Sequence, residues 1–188
     1  AGAHQGSLTR LAEKPVAEQE ALTFPTDDNG EIKTAAISLS EAWHNLETVA
    51  ERGWADTLGV CNVSRSQLET ILGSGSIPPA VVQIERHPYQ PQSALVEFCH
   101  DHDIAVVAHS PLSAPGLLDE PVLSEVGAKY DLSPAGVVLA WNATRGVVPI
   151  PSSTTTDHIV ANAAAVATRL APDDCNRIDS LREPNVSR

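Results

Sequence analysis

The chain has 188 residues, of which 42% are hydrophobic and 19% charged, a composition typical of one sizeable globular domain and short for two. The formal net charge of −12 argues against nucleic acid and anionic membrane surfaces as partners, because both would be repelled over most of the protein surface. No apolar run is long enough to cross a membrane, so we expect a soluble protein that binds a small or weakly charged ligand.

The first 34 residues carry few periodic apolar positions, so we expect a loop or arm at 1–34, followed by one domain at 35–188. Helices are predicted where a capping residue precedes a helical apolar pattern, and strands where a short run is almost entirely apolar. The first predicted element is a helix from Ser38 to Gly53, with Ala42, Leu46 and Val49 on one face. It is followed by a strand at 57–62, a helix from Ser64 to about Leu72, a strand at 80–85, a helix with Pro91 in its first turn and a strand at 104–110. The last predicted elements are a helix from Ser133 to Arg145, a strand at 147–150, and helices near 156–168 and 172–182.

Strands that alternate with helices and are nearly all apolar are typical of parallel strands buried on both faces. The predicted fold class is therefore α/β. Four such units amount to about half of an eightfold TIM-type barrel, which usually has roughly 250 residues. A half barrel leaves two strand edges without neighbours, and we expect a second copy of the chain, a partner that carries the missing half, or a rearranged N-terminal arm to cover them. Of these, a homodimer needs the fewest assumptions.

The three cysteines, Cys61, Cys99 and Cys175, lie far apart in the sequence and form no C-x-x-C motif. With no readable export signal at the start, we expect reduced thiols and a cytoplasmic protein. The run CHDHD at 99–103 is rich in metal-ligand types, but residues two apart near a helix end point in different directions, so no metal site is predicted.

Five segments carry a resemblance to a known family: LGVCNVS at 58–64, PPAVVQIERHPY at 78–89, LVEFCHDHDIAVVAHSPL at 95–112, LSPAGVVLAWNATRGVVPIPSST at 132–154 and HIVANAAAV at 158–166. In this order and spacing they resemble the signatures of the aldo-keto reductases, which are barrels that reduce carbonyls with NADPH. The resemblance covers roughly 24–181 and matches only the second half of that barrel. The segments that hold the family's catalytic Asp, Tyr and Lys have no match, and His4 is a loose match to its catalytic His.

The resemblance also implies cofactor-binding positions. Asn62 and Gln83 match the pair that hydrogen-bonds the nicotinamide amide, and Cys61 replaces the usual Ser. His109 stands where the family has a Tyr that stacks on the nicotinamide ring, and it is a poorer, titratable substitute.

In the hydroxyl-rich turn after the last strand, Ser153, Thr154 and Asn162 match the family. Ser152 replaces the Lys, and His158 the Arg, that grip the 2′-phosphate. Losing two charge-assisted contacts of roughly 1.5–3 kcal/mol each would weaken NADPH binding by about two to four orders of magnitude. The leading hypothesis therefore requires no cofactor, and NADPH stays possible with reduced affinity.

The carboxyl ends of barrel strands host the chemistry in this fold, and here they present Glu85, His87 and His109, which could form an acid/base set. Alternatively, Glu85 and His87 are structural hydrogen bonders of the family's VExHP pattern. Cys61 is a weaker candidate nucleophile, because a buried strand thiol without a nearby cation is normally inert. In the family that the chain resembles, the position of Arg86 is usually apolar. An Arg there should point away from the barrel axis, where it either binds an anion or is solvated.

Three functions remain open. The first is an enzyme that has given up hydride transfer and performs proton-transfer chemistry, such as isomerisation, elimination or cyclisation, on a small organic molecule. The second is an NADPH-dependent carbonyl reductase that needs a partner for its catalytic residues. The third is a non-catalytic binding protein or a fragment. The missing catalytic segments and the missing phosphate cations favour the first.

Overall fold

The computed structural model describes residues 37–181 and divides the chain into two compact units, 1–82 and 83–188. The arm predicted at 1–34 and the residue His4 lie outside the described residues. Unit 1 contains α1 (Leu39–Glu51), β1 (Gly59–Cys61), α2 (Arg65–Ser74) and the start of β2 (Val81–Glu85). Unit 2 contains the rest of β2, α3 (Ser93–Asp101), β3 (Ala105–His109), a 3₁₀ turn (Leu117–Asp119), α4 (Pro121–Tyr130), α5 (Pro134–Thr144), β4 (Val147–Pro149), α6 (Thr156–Ala165) and α7 (Pro172–Asp179).

The four strands form one sheet in the order β1-β2-β3-β4. Strands β3 and β4 run parallel, with Val107 opposite Val148. Each strand is joined to the next by at least one helix, as a parallel connection requires. The α/β fold class and its partial TIM-type barrel character, predicted from the alternation of elements, are therefore confirmed.

Helix α1 starts where its capping residue predicts, but its buried face differs from the predicted one. The Ser38 hydroxyl accepts the Glu41 amide at 3.2 Å. The residues buried along the helix are Ala42, Trp43 and Glu47, whereas the predicted Leu46 and Val49 are only partly buried. The sequence did not predict that Glu47 is buried, because a charged residue on a helix is typical of the surface and its partners lie far along the chain.

The capping box that starts α2 forms in full. The Gln67 amide donates to the Ser64 hydroxyl at 3.2 Å, and the Gln67 side chain accepts the Ser64 amide at 2.8 Å. The start of α3 differs from prediction, because Pro91 precedes the N-cap Gln92 and is not in the first turn.

Helix α4 is absent from the predicted elements, although it supplies much of the core of unit 2. Pro121 occupies its first turn and Asp131 ends it in the left-handed region, with φ 55°. The apolar core that α4 forms with α5 and α7 consists of Leu117, Leu123, Val126, Val137, Val138, Ala140, Trp141, Leu170, Cys175 and Ile178. Within residues 37–181 no helix has the length and apolar character needed to span a bilayer.

Candidate functional site

In unit 2 the sheet has one buried face and one partly exposed face. On β2, Ile84 is buried, whereas Gln83 and Glu85 are partly exposed. On β3, Ala108 is buried and His109 partly exposed. Successive strand residues point to opposite faces, so Gln83, Glu85 and His109 project from the partly exposed face. The structure thus keeps three of the predicted site residues accessible on this face, with Glu85 and His109 at the carboxyl ends of neighbouring strands.

Glu85 and His87 form a hydrogen-bonded pair. Glu85 Oε1 lies 3.3 Å from His87 Nε2, and the Glu85 side chain is 45% exposed while that of His87 is 7% exposed. The buried Nδ1 of His87 has no hydrogen-bond partner among residues 37–181. The Glu85 carboxylate is therefore the accessible member of the pair, and a proton can pass between it and the imidazole at Nε2.

His109 is the last residue of β3 and contacts the residue that follows it. Its Nδ1 lies 3.0 Å from Ser110 Oγ, and Ser110 adopts the left-handed backbone conformation with φ 51°. Non-glycine residues in this region are uncommon and are concentrated at functional sites. The imidazole and the hydroxyl are positioned at the carboxyl end of β3.

Two cavities flank Pro151, which lines both of them. The first, of about 320 Å³, has three hydroxyl groups, those of Ser110, Ser113 and Ser152. The second, of about 280 Å³, is lined by Ser153 and Asn162 together with the apolar residues Pro149, Ile159, Ala163 and Val166. Both volumes are near the lower end of the range for small-molecule sites.

The start of α6 adjoins these cavities, and its backbone N–H groups can donate to a further acceptor. Its N-cap Thr155 makes no side-chain capping bond, and the Thr155 amide donates to Ser153 Oγ at 3.2 Å. Exposed amides at a helix start attract phosphate. However, Asp157 lies in the first turn, and no Lys or Arg of the described chain lines either cavity. Ser152, Thr154 and His158, predicted around the phosphate clamp, are all exposed.

The donor set fits part of a nicotinamide dinucleotide. Hydroxyls, the Asn162 amide and backbone N–H groups suit ribose and diphosphate oxygens. By the resemblance, Ser152 and His158 occupy the positions of the two cations that would contact the adenosine 2′-phosphate.

Two predicted site residues belong to unit 1. Cys61 ends β1 and is buried, and burial raises the pKa of its thiol, which disfavours the thiolate that a nucleophile needs. Asn62 follows it, is exposed and has φ 54°, the same left-handed conformation as Ser110 after β3 in unit 2.

Several residues that line the two cavities were not predicted from the sequence as site residues, namely Leu112, Ser113, Ile159 and Val166. A Ser-Pro pair directly after strand β3 is a loop signal that could have pointed to Ser113. Ile159 and its neighbour Val160 on α6 are 52% and 64% exposed in the structure.

The edge strand β4 and the residue that follows it carry further exposed apolar side chains. Val148 is 56% and Ile150 44% exposed. In unit 1, by contrast, Val60 and Cys61 of the other edge strand are buried. Uncovered apolar side chains are therefore found at the β4 end of the sheet.

A comparison with known protein families matches residues 21–183 to the model of the aldo/keto reductase family. Among curated proteins, the chain is 37% identical over 173 residues to aldo-keto reductase family 1 member D1 of Mus musculus, covering 85% of this chain and 53% of that protein. It is 38% identical over 143 residues to the uncharacterized oxidoreductase YtbE of Bacillus subtilis, covering 76% of this chain and 51% of that protein. The chain spans about half the length of the curated relatives it matches.

The chain also superposes on solved structures of aldose reductases, over little more than half of their length. An aldose reductase from Giardia lamblia superposes with a TM-score of 0.82 at 30% identity, covering 90% of this chain and 58% of that one. The aldose reductase from Schistosoma japonicum superposes with a TM-score of 0.79 at 29% identity, covering 86% of this chain and 54% of that one.

Proposed function

The chain belongs to the aldo/keto reductase family, and from this premise we propose that unit 2 binds a nicotinamide dinucleotide without recognising its 2′-phosphate. The observation that carries the proposal is the pair of cavities on either side of Pro151, which are lined by hydroxyl and amide groups and by no cation of the described chain. NADH and NADPH should then bind with similar, modest affinity.

Different residues would bind different parts of the dinucleotide. Ser110 and Ser152 would hold diphosphate oxygens in the larger cavity, and Ser153 with Asn162 would hold the adenosine end in the smaller one. When bound, the dinucleotide supplies a hydride for reduction of a carbonyl carbon. On the exposed face of the sheet, His109 would contact the nicotinamide ring.

The proposal is tested by restoring the two cations. In Ser152→Lys with His158→Arg, NADPH should bind about two to four orders of magnitude more tightly, since two charge-assisted contacts are regained. NADH affinity should change little, because NADH has no 2′-phosphate. Isothermal titration calorimetry measures both.

A matched control places the same charges on the exposed residues Ala164 and Ala167, which line neither cavity. Ala164→Lys with Ala167→Arg should leave both affinities within a fewfold. The proposal fails if the restored pair does not improve NADPH binding, or if the control improves it equally.

We propose proton-transfer chemistry of the isomerase, lyase or cyclase type as a second candidate function, requiring no dinucleotide. It is favoured by the Glu85 and His87 pair, in which an accessible carboxylate contacts a buried imidazole, and by the His109 contact with Ser110. Glu85→Gln should then abolish turnover of a small organic substrate in dinucleotide-free protein. Activity that survives both Glu85→Gln and His109→Ala would exclude this candidate.

A further inference from the structure

Arg86 is a buried cation on the helix-facing side of the sheet. It follows β2 in step with the buried Val82 and Ile84, and it is 2% exposed. The expectation that it is solvated was therefore wrong, and the expectation that it binds an anion stays open. Its guanidinium lies opposite the face that carries Gln83 and Glu85, so it is not part of the site described above.

Neutral groups hold the Arg86 side chain in place. Its Nε donates to the Pro91 carbonyl at 2.9 Å, its Nη1 donates to Asn142 Oδ1, and its guanidinium carbon lies 3.9 Å from the centre of the Trp141 ring. The Asn142 amide in turn donates to the Val138 carbonyl at 3.1 Å. A guanidinium has five N–H donors, so these contacts leave donors for a further acceptor.

No carboxylate of residues 37–181 forms an ion pair with Arg86, which is unusual for a buried charge. Burial lowers the pKa of its guanidinium to about 10, so the group remains protonated at neutral pH. Asp179 is close enough to raise this pKa, but its Oδ2 is paired with Arg145 and its Oδ1 accepts the Trp141 indole N–H at 2.8 Å.

A cavity of about 410 Å³ borders Arg86 between α3, the end of α5 and α7. Its polar lining includes Ser93, Glu97 and His100 of α3 as well as Arg145 and Asp179. Arg145 and Asp179 neutralise each other, and Glu97 is exposed to solvent. The cavity wall therefore has one buried positive charge without a contacting counterion.

We propose that this cavity binds a small organic carboxylate, with Arg86 as its cationic partner. A single uncompensated charge suits a monoanion, and a guanidinium matches the two oxygens of a carboxylate. A dianion such as phosphate would gain less, because Glu97 and Asp179 share the cavity.

The test uses butyrate as the probe, butyramide as its uncharged counterpart and inorganic phosphate as the dianion, at constant ionic strength. The Trp141 indole N–H resonance reports on the site, since the ring stacks on Arg86. Butyrate should shift this resonance saturably at millimolar concentrations, whereas butyramide should not shift it and phosphate should act more weakly. A butyramide shift as large as that of butyrate, tighter phosphate binding, or no butyrate shift would overturn the proposal.

Three variants locate the site. Arg86→Met should abolish the butyrate shift. Ser93→Phe, at an exposed position on the cavity lip, should block it without touching the buried cation. Glu97→Gln, also exposed, should tighten butyrate binding by about two- to fivefold by removing a repelling charge. If Arg86→Met does not fold, Ser93→Phe and Glu97→Gln still test the site, because butyrate binding that is unchanged in both variants would refute the proposal.

Discussion

Glu47 is the buried carboxylate whose removal should most clearly destabilise unit 1. Its side chain is 3% exposed, its Oε1 accepts the amides of Ser76 and Ile77, the latter at 2.7 Å, and its Oε2 lies 3.2 Å from His44 Nδ1. The neighbouring Trp43 indole donates to the Ile77 carbonyl at 3.0 Å. Glu47 therefore ties the segment after α2 to α1.

The expected cost follows from these bonds. A hydrogen bond to a charged group contributes about 1.5–3 kcal/mol. Glu47→Gln keeps one acceptor oxygen but loses the charge, so the free energy of unfolding at pH 7 should fall by about 1.5–3 kcal/mol. Glu47→Ala leaves the Ser76 and Ile77 amides without their acceptor, so it should lower the free energy of unfolding by about 3–5 kcal/mol.

The effect should depend on pH with a definite sign. The amides of Ile77 and Ser76 hold the pKa of Glu47 below its ordinary value of 4.5. The folded state then binds fewer protons than the unfolded state, so this stabilisation is complete above pH 4.5 and is lost as the pH falls through the lowered pKa. The stability gap between wild type and Glu47→Gln should narrow over that range.

Urea unfolding followed by far-UV circular dichroism at pH 7 and at several pH values below 4.5 measures both effects. Glu51→Gln is the matched control, because Glu51 is an exposed acid on the same helix, and it should change stability by less than about 0.5 kcal/mol. A Glu47→Gln variant as stable as wild type at pH 7, or a stability gap that does not change on acidification, would refute this role of Glu47.

Further predictions concern unit 2 and the whole chain. Asp174 accepts from Lys129 and from the Tyr130 hydroxyl, bonds that lower its pKa, so Asp174→Asn should lower the free energy of unfolding by about 1–3 kcal/mol at pH 7 and by less at acidic pH in urea titrations. Gly127→Ala would place Cβ 2.3 Å from the Leu132 carbonyl oxygen, so thermal melts should show a lower Tm, and an unchanged Tm would contradict the packing. Burial raises the pKa of Cys99 to about 11, so its alkylation at pH 8 should be far slower in folded than in urea-unfolded protein, and equal rates would contradict burial. If a second copy covers the exposed apolar residues of β4 and α6, light scattering should give twice 19.9 kDa, and a stable monomer would contradict self-association.

Much of the fold was predictable because its signals are local. The capping box of Ser64 and Gln67 marks the start of one helix, and Ser133 and Gly146 mark the start and end of another. Both helices form as predicted. The buried face of α1 was not predictable, because Glu47 finds its partners about thirty residues later in the chain. Helix α4 was missed although Pro121 marks its start, since its apolar pattern is short and polar residues surround it.

The candidate site was predictable to a similar extent. The resemblance led to Gln83, Glu85 and His109, which the structure keeps on the partly exposed face of the sheet. It could not reveal that His87 is almost fully buried or that Arg86 packs on Trp141, because both depend on side chains of distant elements.

The dinucleotide site proposed for unit 2 is expected not to recognise the 2′-phosphate, because Ser152 and His158 stand where the resemblance expects two cations. The most direct measurement is the ratio of the dissociation constants of NADH and NADPH for the unaltered chain, determined by calorimetry under identical conditions. With Ser152 and His158 in place of the two cations, the ratio should lie within about threefold of one. NADPH binding about a hundredfold tighter than NADH, or no binding of either dinucleotide at millimolar concentrations, would contradict the claim.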